Sequence, residues 1–433
     1  MNTPLAPTRR RSAGWLVALA LLGLTLPACR FTRLNSELGA LDAAARIGGT
    51  VDVDAPNDTP VLVAALRFPT SPGHPVEVLQ TVYLRDTREY EFSLEPGRYE
   101  IIAFEDRNAN QRVDAGERGA YLGPFDLAAR ERSSSKHLHI VGPFPKPPPE
   151  AEDKRLIVTG LVMDLEDERF SAKVGTLGVW QPMTMLQQYK PGLYLLEPYS
   201  DTKTPVVFVH GMGGYAQEFR ELIASLDRER FQPWVLMYPS GLRLERTAVF
   251  LHQALEGIRQ SHPFERACLV AHSMGGLVAR RALDHHLKAH PEPYVRALVS
   301  IASPLGGFAS AESGVDMSPV VVPAWRDLVP DSEFAKALYA TPLPKSLEYY
   351  LLAAFQAEGA DDGVVDIQSQ LLEAAQNEAT VVRAYITTHT GALKDERVIR
   401  QVKIALDRCR LDPPRSGDDD DRRSSAPSAA TRP

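Results

Sequence analysis

The chain has 433 residues, a formal net charge of −7, 44% hydrophobic residues and 24% charged residues. That length allows two or three domains of ordinary size with a sizeable core. An acidic chain without a basic run interleaved with aromatics excludes a nucleic-acid binder, whose phosphate partner needs a basic face.

In chain order, Arg9, Arg10 and Arg11 precede an apolar run from Trp15 to Leu26. About 20 apolar residues are needed to span a bilayer. The shorter run with its basic flank therefore reads as a signal peptide over residues 1–28. Its end, Leu26-Pro27-Ala28-Cys29, resembles the lipobox of bacterial lipoproteins, with Pro27 as a departure. The resemblance implies lipidation of Cys29, and Arg30 after it favours the outer membrane. The expectation is an exported protein, lipid-anchored to a bacterial membrane; secretion, or a periplasmic location, is the alternative. Residues 29–45 read as a tether.

From 46 to 142 the pattern is strand-like. Val61–Phe68, Val78–Leu84, Tyr90–Leu94 and Tyr99–Phe104 carry β-formers, and Glu95-Pro96-Gly97 reads as a turn. A small all-β sandwich is expected. Within it Asp106, Asn108, Asn110, Arg112, Asp114 and Glu117 fall at positions 1, 3, 5, 7, 9 and 12 of a calcium loop, Arg112 through its carbonyl. Gln111 stands where glycine normally allows the turn. The pattern resembles loops of prealbumin-like domains and implies a structural Ca2+. The competing reading is an Asx-rich loop closed by its own hydrogen bonds. Residues 143–154 follow as a proline-rich linker, a composition that favours extended polyproline II.

From 155 to 410 short apolar strands alternate with amphipathic helices. The strands are Val206–Val209, Pro233–Tyr238, Ala267–Ala271, Val295–Ile301, Leu347–Phe355 and Thr380–Thr387. The helices are Gln217–Arg230, Leu244–Gln260, Leu277–Ala289 and Val398–Arg408. This is the pattern of an α/β domain, a parallel sheet covered by helices on both faces. Residues 306–346 break the rhythm, and 411–433 read as a disordered tail. Cys268 and Cys409 are too few for a disulfide framework, and Cys268 reads as buried filler.

The chemistry concentrates around Ala271-His272-Ser273-Met274-Gly275-Gly276, between a strand and a helix. That context makes it a nucleophile elbow with Ser273 at its tip, the small Ala271 and Gly275 permitting the sharp turn. His210-Gly211-Met212-Gly213-Gly214 directly follows a strand and supplies a glycine-rich loop for an oxyanion. The expected donors are the backbone N–H groups of Met212 and Met274. A serine nucleophile needs a base and an orienting acid, here in the order Ser, acid, His. His389 follows the strand Thr380–Thr387 and is the expected base. His285, His286 and His290 read as surface or structural. Asp361-Asp362-Gly363-Val364-Val365 resembles the Asp-Gly-Val-Val loop of lipases, which implies Asp362 as the acid, with Asp361 and Asp366 as rivals.

With these motifs assembled, residues 190–400 resemble bacterial lipases and esterases of the α/β-hydrolase fold. The match runs through Pro205–Gly214, Tyr238–Gly241, Ala271–Gly276, Ala302–Gly307 and Asp361–Val365. The resemblance implies cleavage of acyl esters or lipids through an acyl-enzyme, without a catalytic cofactor. It places a cap or lid at 306–346, where Val320–Val322, Trp325 and Leu328 could line an acyl pocket or simply be core. Phospholipase or acyltransferase chemistry would use the same triad. A reading from another class is a surface scaffold or adhesion protein with a silent hydrolase domain.

Overall fold

The computed structural model describes residues 27–409 apart from 55–58, 69–74, 85–88, 109, 111, 115, 145–150 and 154–157. The expected leader up to residue 26, most of the proline-rich linker and the acidic tail lie outside the described residues. Among the described residues no helix is long and apolar enough to cross a membrane.

The N-terminal β region is built from β1 (Ala45–Val53), β2 (Val61–Arg67), β3 (Val76–Leu84), β4 (Glu89–Leu94), β5 (Gly97–Glu105), β6 (Gly119–Leu127), β7 (Arg132–Ser133), β8 (Leu138–Ile140) and β9 (Ala151–Asp153). One sheet runs β6-β5-β2-β3-β9; the other runs β4-β1-β7, with β8 also on β1. The strand period of two decides the packing. In β4, Tyr90, Phe92 and Leu94 are buried while Glu89, Glu91 and Ser93 are exposed. They meet Val61, Val63 and Ala65 of β2 and Tyr99, Ile101 and Ala103 of β5 in one core between the sheets. The other face of β2 and β5, with Leu62, Leu66 and Phe104, forms a second, smaller cluster under Phe144. The expected sandwich is therefore present. It includes β1, whose signal the pair Gly48-Gly49 interrupts.

The α/β domain follows with β10 (Val158–Val162), β11 (Gly192–Leu195), β12 (Thr204–Val209), β13 (Phe231–Met237), β14 (Ala267–His272), β15 (Val295–Ile301), β16 (Glu348–Phe355) and β17 (Val381–Ile386). Their order is β10-β11-β13-β12-β14-β15-β16-β17. All neighbours are parallel except β11 and β13. The helices, in chain order, are α1 (Pro27–Ala43), α2 (Ala172–Trp180), α3 (Pro182–Tyr189), α4 (Arg220–Ala224), α5 (Leu244–Ser261), α6 (Met274–Ala289), α7 (Ala309–Met317), α8 (Pro323–Leu328), α9 (Glu333–Leu338), α10 (Ile367–Gln370), α11 (Glu373–Glu378) and α12 (Glu396–Cys409). Strand alternation divides the core in two. Val207, Val209, Leu269 and Ala271 face α5 and α6. Val206, Phe208, Cys268 and Val270 face α12. The sheet is covered on both faces, which explains why its strands read as continuous apolar runs.

Three sequence expectations are corrected here. The tether is a helix: Phe31, Leu34 and Leu38 of α1 fall on one face, and Leu34 is fully buried in the core of the α/β domain. Glu37 fastens it by accepting from Thr184 N at 2.9 Å and Thr184 Oγ1 at 2.6 Å. The helix expected over Gln217–Arg230 stops at Ala224 after a 3-10 turn, Ala216–Phe219. Asp227 ends it by accepting from Glu229 N at 3.1 Å and Arg230 Nε at 2.7 Å, a local competitor of helical bonding. Cys268 is not filler but forms a disulfide with Cys409, joining β14 to the last residue of α12 across 141 positions.

Candidate functional site

Ser273 sits between the end of β14 and the start of α6, in the strained conformation φ 54°, ψ −133°. A non-glycine residue there costs roughly 1–3 kcal/mol unless its surroundings over-determine it. They do. Ser273 N donates to Ile301 O at 2.9 Å, and Gly276 N donates to Ser273 O at 3.0 Å. Gly275 permits the turn by close approach: a Cβ there would meet Val209 O at 2.3 Å.

The loop after β12 lies directly against the serine. A Cβ on Gly211 would come within 2.7 Å of Ser273 Cβ. Gly213 N donates to Ser240 Oγ at 2.9 Å, and Gly214 N to Gly211 O at 3.1 Å. His210 stacks on Tyr238 with ring centroids 4.2 Å apart, and Tyr238 OH donates to His210 O. Burial pushes the His210 ring below its usual proton affinity. This histidine shapes the loop. Met212, half-buried, and Met274, buried, thus flank Ser273 from two chain segments.

Asp362 and His389 meet beyond the ends of β16 and β17. His389 Nδ1 donates to Asp362 Oδ2 at 2.7 Å, and His389 N donates to Asp362 O at 2.9 Å. Both residues are buried. Oδ1 of Asp362 accepts from Val364 N at 2.9 Å and Val365 N at 2.7 Å. Its rivals are occupied elsewhere. Asp361 Oδ1 accepts from Gly363 N at 2.8 Å, and Asp366 caps α10 by accepting from Gln368 N at 2.7 Å. Desolvation lowers the His389 pKa below its ordinary 6.5, against the raising effect of Asp362.

Two partners here were not legible beforehand. Gln370, fully buried, donates from Nε2 to Asp362 Oδ2 at 3.1 Å and to Val365 O at 3.0 Å. His272, the residue before Ser273, donates from Nε2 to His389 O at 3.1 Å, while its Nδ1 lies 3.3 Å from Glu218 Oε1. The His272 and His389 rings are 4.7 Å apart, which brings the histidine loop beside the elbow. Only the motif position of His272 hinted at a role.

Residues 204–338 match the alpha/beta hydrolase fold family. Ser273, Met212 and Met274 lie inside that stretch, and Asp362 and His389 lie beyond it. Among solved structures, the mature lipase of Bacillus licheniformis is similar at 19% identity, over 49% of this chain and 97% of that one, with a TM-score of 0.41. Aspergillus fumigatus lipase B is similar at 17% identity, over 50% and 56%, with a TM-score of 0.39. A metagenomic carboxyl esterase is similar at 17% identity, over 48% and 76%, with a TM-score of 0.37. No curated protein sequence matches the chain.

The segment expected as a cap carries the short helices α7, α8 and α9. Val322 and Leu328 are buried core. Trp325 is half-buried, edge-on to Trp180 at 6.2 Å, and Trp180 in turn meets Phe31 of α1 at 5.5 Å.

The expected calcium loop is closed on itself. Asp106 Oδ1 accepts from Asn110 N at 3.1 Å. Glu117 accepts from Arg107 N at 3.0 Å and Asp114 N at 2.9 Å. Asn108 and Asn110 each donate their amide to Asp114 Oδ2 at 2.7 Å. Arg112 N donates to Asn110 Oδ1 at 2.7 Å. A cation fits only if both amides turn their oxygens inward. Cys29 lies in the first turn of α1.

Proposed function

We propose that the chain is a serine hydrolase cleaving carboxylic esters, with Ser273 as nucleophile, His389 as general base and Asp362 as orienting acid. The observation that carries this reading is the buried Asp362–His389 pair, 2.7 Å across, fastened beside an elbow whose serine has positive φ. Asp362 accepts a hydrogen bond from Nδ1–H, which holds the ring proton on Nδ1 and so leaves Nε2 of His389 as the unprotonated atom, the form a base needs. His389 takes the Ser273 proton as Oγ attacks the ester carbonyl. The oxyanion is held by the N–H groups of Met212 and Met274, each such donor typically giving about 2.7–4 kcal/mol. His389 then protonates the leaving alcohol, and water, deprotonated by the same ring, releases the acid.

An acyl ester or lipid is the proposed substrate class, met at a membrane through a lipid anchor on Cys29. The Cys268–Cys409 disulfide supports an exported address, since disulfides persist in oxidising compartments. Calcium binding by the Asp106–Glu117 loop is a separate proposal. A rise in Tm with added calcium supports it, and an unchanged Tm removes it.

Fluorophosphonate labelling tests the enzyme reading. Wild type is expected to label and to turn over p-nitrophenyl acyl esters, and Ser273→Ala to do neither. An unlabelled wild type, or equal labelling of Ser273→Ala, leaves the silent-scaffold reading in its place.

A further inference from the structure

A second cluster of chemistry-bearing side chains lies where α5 packs on α6, away from the ester site. His252 and Glu256 are one helical turn apart on α5. His286 and His290 are one turn apart at the C-terminal end of α6. Spacing of four residues puts each pair on one helix face, and the two faces meet. Nδ1 of His252 and Nδ1 of His286 each lie 3.9 Å from Glu256 Oε1. Nε2 of His290 lies 2.8 Å from the same oxygen. One ligand atom each from His252, Glu256 and His286 falls within 4.8 Å of the others.

Hydrogen bonding leaves this cluster incomplete. His286 is 2% exposed. Its Nδ1 and that of His252 are both buried without a hydrogen-bond partner. Buried polar atoms are rarely left so, because each forfeits its hydration. Here two of them point at one carboxylate.

We propose that His252, Glu256 and His286 bind a divalent transition-metal ion of the zinc class, with His290 taking the fourth position. Imidazole and carboxylate are ordinary ligands for such an ion. Tetrahedral bonds of roughly 2.0–2.1 Å set ligand atoms roughly 3.3 Å apart, so the 3.9 Å pairs need only a small contraction. Without metal, Glu256 Oε1 accepts from His290 and from Tyr294 OH, the latter at 2.5 Å. Loading releases the His290 bond and turns that ring from donor to ligand. Val295 N donates to His286 Nε2 at 3.3 Å, so the metal-free ring carries its proton on Nδ1. A metal on Nδ1 moves that proton to Nε2, so the long bond from Val295 N is lost, set against several metal–ligand bonds.

The surroundings are mixed. Arg259 lies over the Tyr294 ring at 4.6 Å, and its charge and that of Arg296 are felt at His286. Their charge opposes a cation. The Glu256 carboxylate and the negative end of the α6 dipole act the other way. His285 is turned to Glu245 at 2.9 Å and stays outside the cluster. Thirteen residues of helical rise, about 20 Å, separate His286 from Ser273. The ion is therefore a clip between α5 and α6, with no part in ester chemistry.

The experiment uses the full chain, stripped with chelator and titrated with Zn2+ by calorimetry and with Co2+ by visible absorption. Expected are one saturable ion per chain, a higher Tm, and Co2+ bands of tetrahedral intensity. Affinity should fall at least tenfold in Glu256→Gln and, separately, in the partly exposed His252→Gln, with Ser273 labelling unchanged. The second variant preserves the test if the first does not fold. Absence of saturable uptake, or uptake unweakened in the variants that fold, overturns the proposal.

Discussion

Replacing Asp362 by Asn separates the orienting role proposed for this residue from its bulk. Oδ1 of Asp362 accepts two backbone N–H groups, from Val364 and Val365. An asparagine must keep its carbonyl oxygen there, because an NH2 group cannot accept. Its NH2 then occupies the Oδ2 position, 2.7 Å from His389 Nδ1. It would donate to Nδ1 and drive the ring proton to Nε2, where it blocks acceptance of the serine proton. The wrong tautomer typically costs about 10⁴-fold in kcat, or about 5 kcal/mol. The same NH2 faces Gln370 Nε2, 3.1 Å from Oδ2. Two donors face to face, one of them left buried and unpaired, should cost about 1–3 kcal/mol of stability. Steady-state turnover of a p-nitrophenyl ester, beside denaturant unfolding, measures both. Asp361→Asn and Asp366→Asn should stay within a few-fold of wild type. An Asp362→Asn enzyme within tenfold of wild type would refute the tautomer argument.

Gly275→Ala sets a Cβ 2.3 Å from Val209 O, a backbone atom with little freedom to give. Overpacking of this kind costs about 1–3 kcal/mol, so a lower Tm and lost turnover are expected together. Cys409→Ser opens the link across 141 positions, and a loop of that size is worth about 2–5 kcal/mol. Wild type in reductant should unfold at the same lowered denaturant midpoint, and a midpoint indifferent to reductant would count against the bond. Burial lowers the His389 pKa below 6.5. Activity needs the neutral ring, so kcat/KM should rise with pH to a plateau already reached by neutrality. The unfolded chain binds this proton more readily than the folded one. The contribution of His389 to stability is therefore complete above 6.5 and is lost as pH falls from there through the folded pKa. A limb rising above pH 7 would contradict this.

Much of the α/β domain was legible because its strands are buried on both faces and read as bare apolar runs. Val295–Ile301 is a strand from end to end as expected. Ser273 and its glycine neighbours were legible because an elbow admits few residue types. What escaped depends on partners distant in sequence. Residues 29–45 read as a tether, yet three apolar side chains one and two turns apart suffice to dock α1. Cys268 and Cys409 are unremarkable until β14 and α12 are brought together. Gln370 gives no pattern at all, since its role is to satisfy carbonyls and a carboxylate that only the folded loop buries. His286 and His290 read as surface or structural residues of a helix, and only the packing of α5 supplies Glu256.

The placement of the candidate site follows from the sheet. β12, β14, β16 and β17 are parallel, so their C-terminal ends share one edge. The loop of Met212, the elbow of Ser273, the turn of Asp362 and the loop of His389 each leave from one of those ends. Few contacts are then needed to bring them into register. Ser273 N bonds across to Ile301 O, His389 N bonds to Asp362 O, and His272 Nε2 reaches His389 O. These bonds run between loops rather than within them, so shifting one loop strains its neighbour. That coupling offsets the positive φ of Ser273. It also explains why a buried polar residue such as Gln370 is tolerated there: its amide fastens the Asp362 turn to β16 through Ala354 N at 2.8 Å and Ala354 O at 2.9 Å. Gln370→Leu would remove the bond to Asp362 Oδ2 and those to Ala354 and Val365 O while keeping bulk. Its effect should therefore appear as a loss of turnover exceeding the loss of Ser273 labelling, because the acid would be released while the nucleophile stays in place.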